Sequence, residues 1–332
     1  MGKVLRFILS VGLLAWGTLA VHFSNLPWPW LRTPLAVAFL GIGIWALWLT
    51  RPRRKRAFAA AFLGVLVWHL SIQPSHDRPW RPEVAVMPRA TIDGDRVTIT
   101  NVRDFEFRSR NDFTVRYVTR EVLLSHLTGV DFFISYWVMG PVGHTFVSFL
   151  FDDAPPVPIS IETRTEVGEG FDPFASLFKQ FELIYVVGEE RDLVGSRTNH
   201  RDEDVFLYRI RTSPENARQL FRIYLERVNE LADRPEWYRL LSNSCTINIV
   251  RYANQVGRVG SWDVRHLLNG LIDGYLYGAG LLYNPLGLSF DELRARSHVN
   301  AAAKAAADAD DFPQRIRAGL PTIPPPEPAP SP

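Results

Sequence analysis

Three long apolar stretches open the chain, and a segment of mixed polar and apolar residues follows them. The stretches run from about residue 4 to 23, from 34 to 49 and from 57 to 72. Each approaches the ~17–25 residues that a bilayer-spanning helix needs. The pattern predicts a membrane anchor of three transmembrane helices in residues 1–72, a globular domain in residues 79–312, and a Pro-rich disordered tail in residues 313–332.

A basic loop between the second and third stretches predicts the orientation of the anchor. Arg51-Pro-Arg-Arg-Lys-Arg56 carries five positive charges in six residues, and Lys3 and Arg6 flank the first stretch. Positive residues stay on the cytoplasmic side of a membrane. We therefore expect a multi-pass protein of the bacterial inner membrane whose globular domain lies in the periplasm. The alternative for the first stretch is a cleaved signal peptide, because small residues precede Ala20.

Beyond the anchor, the periodicity changes from that of strands to that of helices. Alternation predicts strands at residues 96–100, 132–138, 145–151, 159–164 and 183–187, with a short helix at 121–127. Later, Ser213-Pro214-Glu215 begins a helix with an apolar stripe, another helix begins near Cys245, and residues 300–310 are rich in alanine. Strands followed by helices are typical of an α+β domain.

Composition excludes several classes of function. The net charge of +2 over 332 residues does not indicate a nucleic-acid-binding protein. A single cysteine excludes an intramolecular disulfide and a Cys-rich zinc site. His126, His200, His266 and His298 lack metal-ligand spacing, so we predict neither a metal nor a cofactor. The acidic groups at 189–192 and 201–204 are interpreted as solvated turns with local ion pairs.

The single cysteine, Cys245, is the candidate nucleophile. It follows the turn-like Ser242-Asn-Ser244 and begins a run with helical spacing. The first turn of a helix stabilises a thiolate through free N–H groups and the helix dipole. The alternative is a small buried apolar residue, which is the commoner role of an unpaired cysteine.

A cysteine nucleophile needs a base and a group that orients the base. His144 begins a predicted strand, and Ser160 and Glu162 share one face of the next strand, so antiparallel pairing would bring Glu162 beside His144. Asn243, Ser160 and Tyr185 are candidates for orienting or oxyanion-binding roles. The alternatives are a structural histidine, a surface pair of Glu162 with Arg164, and a helix cap at Asn243.

Five ordered motifs resemble one known family. They are Asn101-Val-Arg-Asp-Phe105, Gly143-His-Thr-Phe-Val-Ser-Phe149, Ser160-Ile-Glu-Thr-Arg164, Glu182-Leu-Ile-Tyr-Val-Val-Gly-Glu-Glu-Arg-Asp-Leu193 and Leu241-Ser-Asn-Ser-Cys-Thr246. Together they resemble the domain formerly catalogued as DUF4105, now described as the periplasmic domain of Lnb-type lipoprotein N-acyltransferases. The resemblance extends from about Val97 to Phe312. The family form Asn-Cys is here Ser244-Cys245, with Asn243 one residue earlier.

The resemblance implies a circularly permuted papain-like fold related to NlpC/P60, in which the histidine strand precedes the cysteine helix. It implies that Cys245 and His144 are catalytic and that an acyl chain moves from a membrane lipid or lipoprotein to a lipoprotein amine. Glu162 is assigned the third role from strand geometry as much as from the motif. The alternatives are a periplasmic cysteine hydrolase, which would use the same dyad, and a non-catalytic scaffold.

Overall fold

The computed structural model describes residues 2–24, 26, 28–48, 52–257, 260 and 262–321. The chain forms two compact units. The first consists of residues 1–85, 163–183 and 234–243, and the second of residues 86–162, 184–233 and 244–332. Most of the predicted tail, from residue 322 on, lies outside the described residues.

Three helices form most of the first unit: α1 (Gly2–His22), α2 (Pro29–Trp48) and α3 (Pro52–Ser71). They pack through a small apolar cluster that contains Leu14, Phe39 and Phe58. Most of the other large apolar side chains of α1 and α2 are exposed. Apolar side chains that face outward from a helix are the expected arrangement in lipid and not in water.

Among the helices that the structure describes, two are long and apolar enough to cross a membrane, Val4–His22 and Pro29–Trp48. The third predicted span is not confirmed. Its first turns contain Arg53, Arg54, Lys55 and Arg56, so the apolar part of α3 begins only at Ala57. The remaining 15 residues of that helix rise about 22 Å at ~1.5 Å each, short of the ~30 Å hydrocarbon core.

The described strands form three β-sheets, which lie mainly in the second unit. A three-stranded sheet has the order β1–β2–β5, a five-stranded sheet has the order β10–β6–β7–β8–β9, and β3 pairs with β4. The strands are β1 (Arg89–Asp93), β2 (Arg96–Arg103), β3 (Glu106–Ser109), β4 (Asp112–Thr114), β5 (Tyr117–Leu123), β6 (Leu127–Tyr136), β7 (His144–Phe151), β8 (Val157–Arg164), β9 (Glu182–Val187) and β10 (Asp204–Arg209).

The centre of the five-stranded sheet is buried on both faces. All but one residue of β6 and all but His144 of β7 are buried, which explains why the two strands read as nearly continuous apolar runs. Phe133 and Phe146 stack with their ring centroids 4.6 Å apart. Because β7 pairs antiparallel with β8 in the register Phe146↔Ser160, residue 144 stands at the level of residue 162.

The helices described in the second unit are α4 (Glu190–Leu193), α5 (Pro214–Asp233), α6 (Cys245–Val256), α7 (Ile272–Gly278), α8 (Phe290–Ser297), α9 (Asn300–Ala305) and α10 (Phe312–Arg315). Of these, α5, α6 and α9 begin where the sequence predicted, α9 ends earlier than expected, and α4, α7, α8 and α10 were not predicted. The Ser213 hydroxyl accepts a hydrogen bond from the Asn216 N–H, as expected of a helix cap. The apolar stripe of α5, including Phe221 and Leu225, is buried.

The short helix predicted at residues 121–127 is wrong. Glu121 and Val122 belong to β5 and pair with Thr98 and Val97 of β2, and a 3₁₀ turn follows at Leu124–His126. A tertiary strand pairing here overrides a weak helical pattern. The structure also contains β1 and β10, which the periodicity did not predict.

The acidic group at 189–192 is not a solvated turn. Asp192 and Glu190 are buried. Asp192 accepts a bidentate pair of hydrogen bonds from Arg103, at 2.7 and 2.8 Å. Glu190 accepts hydrogen bonds from Arg317 at 2.5 and 2.6 Å. Carboxylates can be buried when arginine compensates their charge, and the compensating residues here are far away in the sequence.

Residues 313–321 are part of the folded domain and not of a disordered tail. Ile316 and Leu320 are buried in the same apolar cluster as Phe133 and Phe146. Arg317 also binds Asp131 of β6 at 2.8 Å. The disordered tail was predicted from the proline content of the segment. The burial of Ile316 and Leu320 in the apolar cluster instead stabilises a folded conformation there.

Arg317 provides a test of this C-terminal attachment. Arg317→Met leaves Glu190 and Asp131 with one compensating charge fewer, so we expect a loss of about 3–5 kcal/mol in the free energy of unfolding of this unit. Arg315→Met is the matched control, because the Arg315–Asp311 pair is exposed and should change stability by less than ~1 kcal/mol. Thermal unfolding of the full chain measures both. If the two substitutions destabilise the protein equally, Arg317 does not attach the C-terminal segment to the domain.

Candidate active site

The N-terminus of α6 positions the candidate nucleophile. Cys245 is the first residue of the helix and Ser244 is its N-cap, with the Ser244 carbonyl accepting a hydrogen bond from Asn248 N–H. The predicted start of this helix is confirmed. Cys245 is only 3% exposed, so bulk water has little access to its sulfur.

The start of β7 positions the candidate base. Gly143 precedes His144, and a side chain at residue 143 would come within 2.9 Å of the Ser135 carbonyl oxygen. Glycine therefore lets this turn lie close against β6. The predicted start of the strand at the histidine, directly after the turn at 140–143, agrees with the structure.

His144, Ser160 and Glu162 form a chain of polar contacts. The His144 Nε2 atom lies 2.7 Å from Ser160 Oγ and 3.9 Å from Glu162 Oε1. Ser160 in turn hydrogen-bonds Glu162. The group in direct contact with the histidine is thus the Ser160 hydroxyl, and Glu162 acts behind it. Because Nε2 hydrogen-bonds Ser160, Nδ1 is the nitrogen of the His144 ring that can accept the proton of the Cys245 thiol.

Arginines hold Glu162 in its charged form. Arg197 donates a hydrogen bond to Glu162 Oε1 at 2.8 Å. Burial alone would raise the pKa of Glu162, but the charges of Arg197, His144 and Arg103 outweigh burial and keep that pKa well below its usual range. An ionised Glu162 favours a proton on Nε2 of His144, which fixes the ring in the form that leaves Nδ1 free to act.

The thiol of Cys245 is poised to ionise. Burial alone raises its pKa, but a hydrogen bond and the charge of His144, together with hydrogen bonds from the Thr145 backbone and hydroxyl, lower the pKa to about 6. An ordinary cysteine has a pKa of about 8.5. Near neutral pH the sulfur is therefore mainly a thiolate, the nucleophilic form.

Asn269 joins the site although the sequence did not indicate it. Its Nδ2 donates to the Gly143 carbonyl at 2.7 Å and lies 3.7 Å from Cys245 Sγ. The Gly143 N–H donates to Asn269 Oδ1 at 2.9 Å. This side chain links the turn before His144 to the sulfur. No periodicity marks a single asparagine in the irregular stretch after α6, and only a motif shared among relatives could have found it.

Tyr185 and Asn243 have other partners than those expected. The Tyr185 hydroxyl hydrogen-bonds Tyr252 of α6, and burial raises the pKa of Tyr185 well above its usual value. Tyr185 therefore supports the helix that carries Cys245 and does not orient His144. Asn243 belongs to the first unit, where its amide donates to the Trp237 carbonyl at 3.0 Å and to Glu236. Neither interaction provides an oxyanion-binding group.

A cavity of about 390 Å³ shares one residue with the site. Thr246 lines the cavity, and its Oγ1 atom is 3.8 Å from Cys245 Sγ. The same oxygen lies 2.8 Å from the Thr145 hydroxyl of β7. Most of the cavity wall is aliphatic or aromatic.

Among the residues that the structure describes, one cluster of possible metal ligands lies elsewhere in this unit. Ligand atoms of His126, Asp152 and Asp153 come within 4.8 Å of one another. These groups are not well buried, and the His126 ring already bonds Asp152 at 2.6 Å, which raises the pKa of His126. A local ion pair accounts for the cluster.

Comparison with known proteins supports one family. Residues 113–270 match the family model of the Lnb N-terminal periplasmic domain. The match covers just under half of the chain and is narrower than the stretch that the motifs suggested. It includes all residues of the polar chain described above, Cys245 and Asn269. No curated protein and no solved structure matches the chain.

The match and the two apolar helices are consistent with a protein anchored in the inner membrane, with a periplasmic role of the Lnb type.

The low pKa of Cys245 can be tested by alkylation. Because the thiolate is the reactive form, the rate with iodoacetamide should be constant above about pH 7 and fall as the pH drops through about 6. His144→Gln removes the charge that offsets burial, so the midpoint should move above pH 8. His126→Gln, at a partly exposed histidine, is the control and should leave the midpoint unchanged. A wild-type midpoint above pH 8 would contradict a poised thiolate.

Asn269→Ala tests the link between the turn and the sulfur. It removes the amide that lies near Cys245 Sγ, so we expect the pKa of Cys245 to rise by about one to two pH units, because a hydrogen bond to a charged group contributes ~1.5–3 kcal/mol. Asn300→Ala is the matched control, because Asn300 also makes two backbone hydrogen bonds, to Val205 and Glu203. It should lower the melting temperature similarly without moving the alkylation midpoint. Identical midpoints in the two variants would refute the link.

Proposed function

We propose that this protein is a periplasmic thiol acyltransferase that moves an acyl chain from a membrane lipid, or from the diacylglyceryl group of a lipoprotein, to a lipoprotein amine. The observation that carries the proposal is the buried Cys245 thiolate paired with His144, with Ser160 and Glu162 behind the histidine. A thiolate with a positioned base is the arrangement that covalent acyl transfer requires.

In the first step, the Cys245 sulfur attacks the ester carbonyl of the donor, and the ester C–O bond breaks. His144 takes the thiol proton beforehand and then gives it to the departing alkoxide, which leaves as an alcohol. The Asn269 amide lies 3.7 Å from the sulfur, within reach of the oxyanion that forms on the attacked carbon. The product is a thioester on Cys245.

In the second step, an amine attacks the thioester carbonyl, and the C–S bond breaks. His144 accepts a proton from the attacking nitrogen, and the sulfur leaves as a thiolate, so the enzyme returns to its starting state. The result is an amide on the acceptor. The polar chain to Glu162 stabilises the His144 cation in both steps.

The burial of the sulfur favours transfer over the alternative of hydrolysis. Cys245 is 3% exposed and its neighbour Thr246 is 1% exposed. A thioester formed in such a site is shielded from bulk water, which is how transferases avoid losing an activated acyl group. A cell-wall peptidase would need to admit an extended polar substrate and water to the same atom.

The anchor and the family add support from outside the site. The match to the Lnb N-terminal periplasmic domain supports a Lnb-family role. Two helices apolar enough to cross a membrane would keep the chain at the surface where its lipid donor is concentrated.

The order of the elements also supports a permuted papain-like fold. The histidine strand β7 precedes the cysteine helix α6 in the sequence, and the cysteine begins the helix.

The proposal predicts the fate of a model lipoprotein. Co-expression of the full chain with a diacylated lipoprotein, in a host without its own N-acylation, should add one acyl chain to the lipoprotein N-terminus, measured by mass spectrometry. Cys245→Ala should abolish the addition, and His144→Ala should lower it at least 100-fold, because the loss of a general base costs ~10²–10⁴-fold.

His126→Ala, at a partly exposed histidine outside the polar chain, should acylate the lipoprotein as wild type does. If the amine is never acylated, or is acylated equally in the Cys245 variant, the acyltransferase proposal is wrong. If the lipoprotein instead loses an acyl chain to water, the hydrolase alternative is correct.

A further inference from the structure

An apolar cavity lies along α6 and has no part in the chemistry described so far. Its volume is about 390 Å³. The wall includes Ile249, Ala253 and Val256 of α6, and Phe132 and Val147 from the five-stranded sheet. Its polar side chains, other than those of Thr246 and Tyr275, belong to one short segment at residues 211–216.

The cavity reaches Thr246, the residue next to the nucleophile, and follows the helix away from it. Thr246 lines the wall, and its Oγ1 atom is 3.8 Å from Cys245 Sγ. Residues 246, 249, 253 and 256 share one face of a helix. At ~1.5 Å per residue, the stretch from Thr246 to Val256 is about 15 Å long. The lining face of α6 therefore continues well beyond the sulfur.

The chemistry of the wall selects the class of ligand. An apolar cavity does not retain water well, because water there lacks hydrogen-bond partners, whereas hydrocarbon fits it. A cavity of ~150 Å³ accepts benzene, with its six carbons. By the same scale, the present cavity would accept on the order of fifteen carbon atoms. That is the size of a long fatty-acyl chain.

We propose that this cavity is the acyl-chain binding site, which holds the hydrocarbon of the group carried on Cys245 and sets the preferred chain length. The inference rests on the proposed acyl transfer and names its substrate class, a single long, straight fatty-acyl chain. The chain lies along α6 and passes Ala253 two turns beyond the thioester.

Chain length then controls the rate of acylation. Each added methylene group that enters the cavity is removed from water, which raises kcat/KM by about fourfold. The gain stops when the cavity is full, at roughly fifteen carbons. Longer chains gain nothing, because their ends find no further apolar wall.

The test uses S-acyl N-acetylcysteamine thioesters with chains of four to eighteen carbons. The thiolate of Cys245 attacks the carbonyl, the C–S bond to N-acetylcysteamine breaks as the acyl group moves to Sγ, and the departing sulfur takes the proton held by His144 and leaves as a thiol. Intact-mass spectrometry of the full chain in lipid nanodiscs gives the acylation rate for each length. We expect the rate to rise steeply with length and to level off near fifteen carbons.

Two substitutions should move this optimum in opposite directions. Ala253→Phe narrows the cavity and should shift the optimum several carbons shorter, with little change for the four-carbon donor. Ile249→Ala widens the cavity and should shift the optimum longer. Ala301→Phe, at an exposed position of α9, is the matched control and should reproduce the wild-type profile. A folding defect would lower the acylation rate for all chain lengths by the same factor and would not move the optimum. If the optimal chain length in both cavity variants equals that of the wild type, the cavity is not the acyl-chain binding site.

A second measurement separates this inference from the proposed function. Palmitic acid with a terminal diazirine is photocrosslinked to the Cys245→Ala protein, which cannot be acylated at that position. We expect labelled peptides from residues 249–257 or 276–281, and weaker labelling in Ala253→Phe. If labelling follows this pattern but no thioester acylates the wild type, the cavity assignment stands and the acyltransferase proposal fails. Labelling outside these peptides refutes the cavity assignment.

Discussion

The buried contact between the first turn of α6 and the start of β7 is the constraint on which the site depends. Thr145 and Thr246 hydrogen-bond each other through their hydroxyls at 2.8 Å, and both are fully buried or nearly so. Each is the sequence neighbour of a candidate catalytic residue, His144 or Cys245. A shift of either element would separate the sulfur from the ring and leave buried hydroxyls without partners, which costs ~1–3 kcal/mol for each group.

Charge compensation holds the surroundings of this contact in place. Arg197 neutralises Glu162 behind the histidine, Arg103 neutralises Asp192, and Arg317 reaches from the C-terminal segment to Glu190. Buried ion pairs of this kind add little net stability, but breaking one is costly. They therefore specify one arrangement of the strands and helices around the site, and the thiolate of Cys245 depends on that arrangement for its low pKa.

The sequence predicted those parts of the structure in which local pattern and tertiary environment agree. The strands β6 to β9 and the start of α6 followed from periodicity, and the position of Glu162 near His144 followed from antiparallel pairing. What it missed depends on distant contacts. Ser160 was already a candidate for an orienting role, but its position between His144 and Glu162 was not predicted, nor was the binding of the same carboxylate by Arg197, a residue from outside the predicted strands. Asn269, the buried role of Glu190 and the folded segment at 313–321 likewise required the three-dimensional arrangement.

The central claim is that Cys245 carries an acyl group during the reaction. The most direct measurement incubates the full chain with a diacylated lipid donor in the absence of an amine acceptor and then weighs the peptide that contains Cys245. The account predicts an added fatty-acyl mass that neutral hydroxylamine removes, and none in His144→Ala under the same conditions. A peptide with a free, unmodified thiol at every time and donor concentration would contradict it.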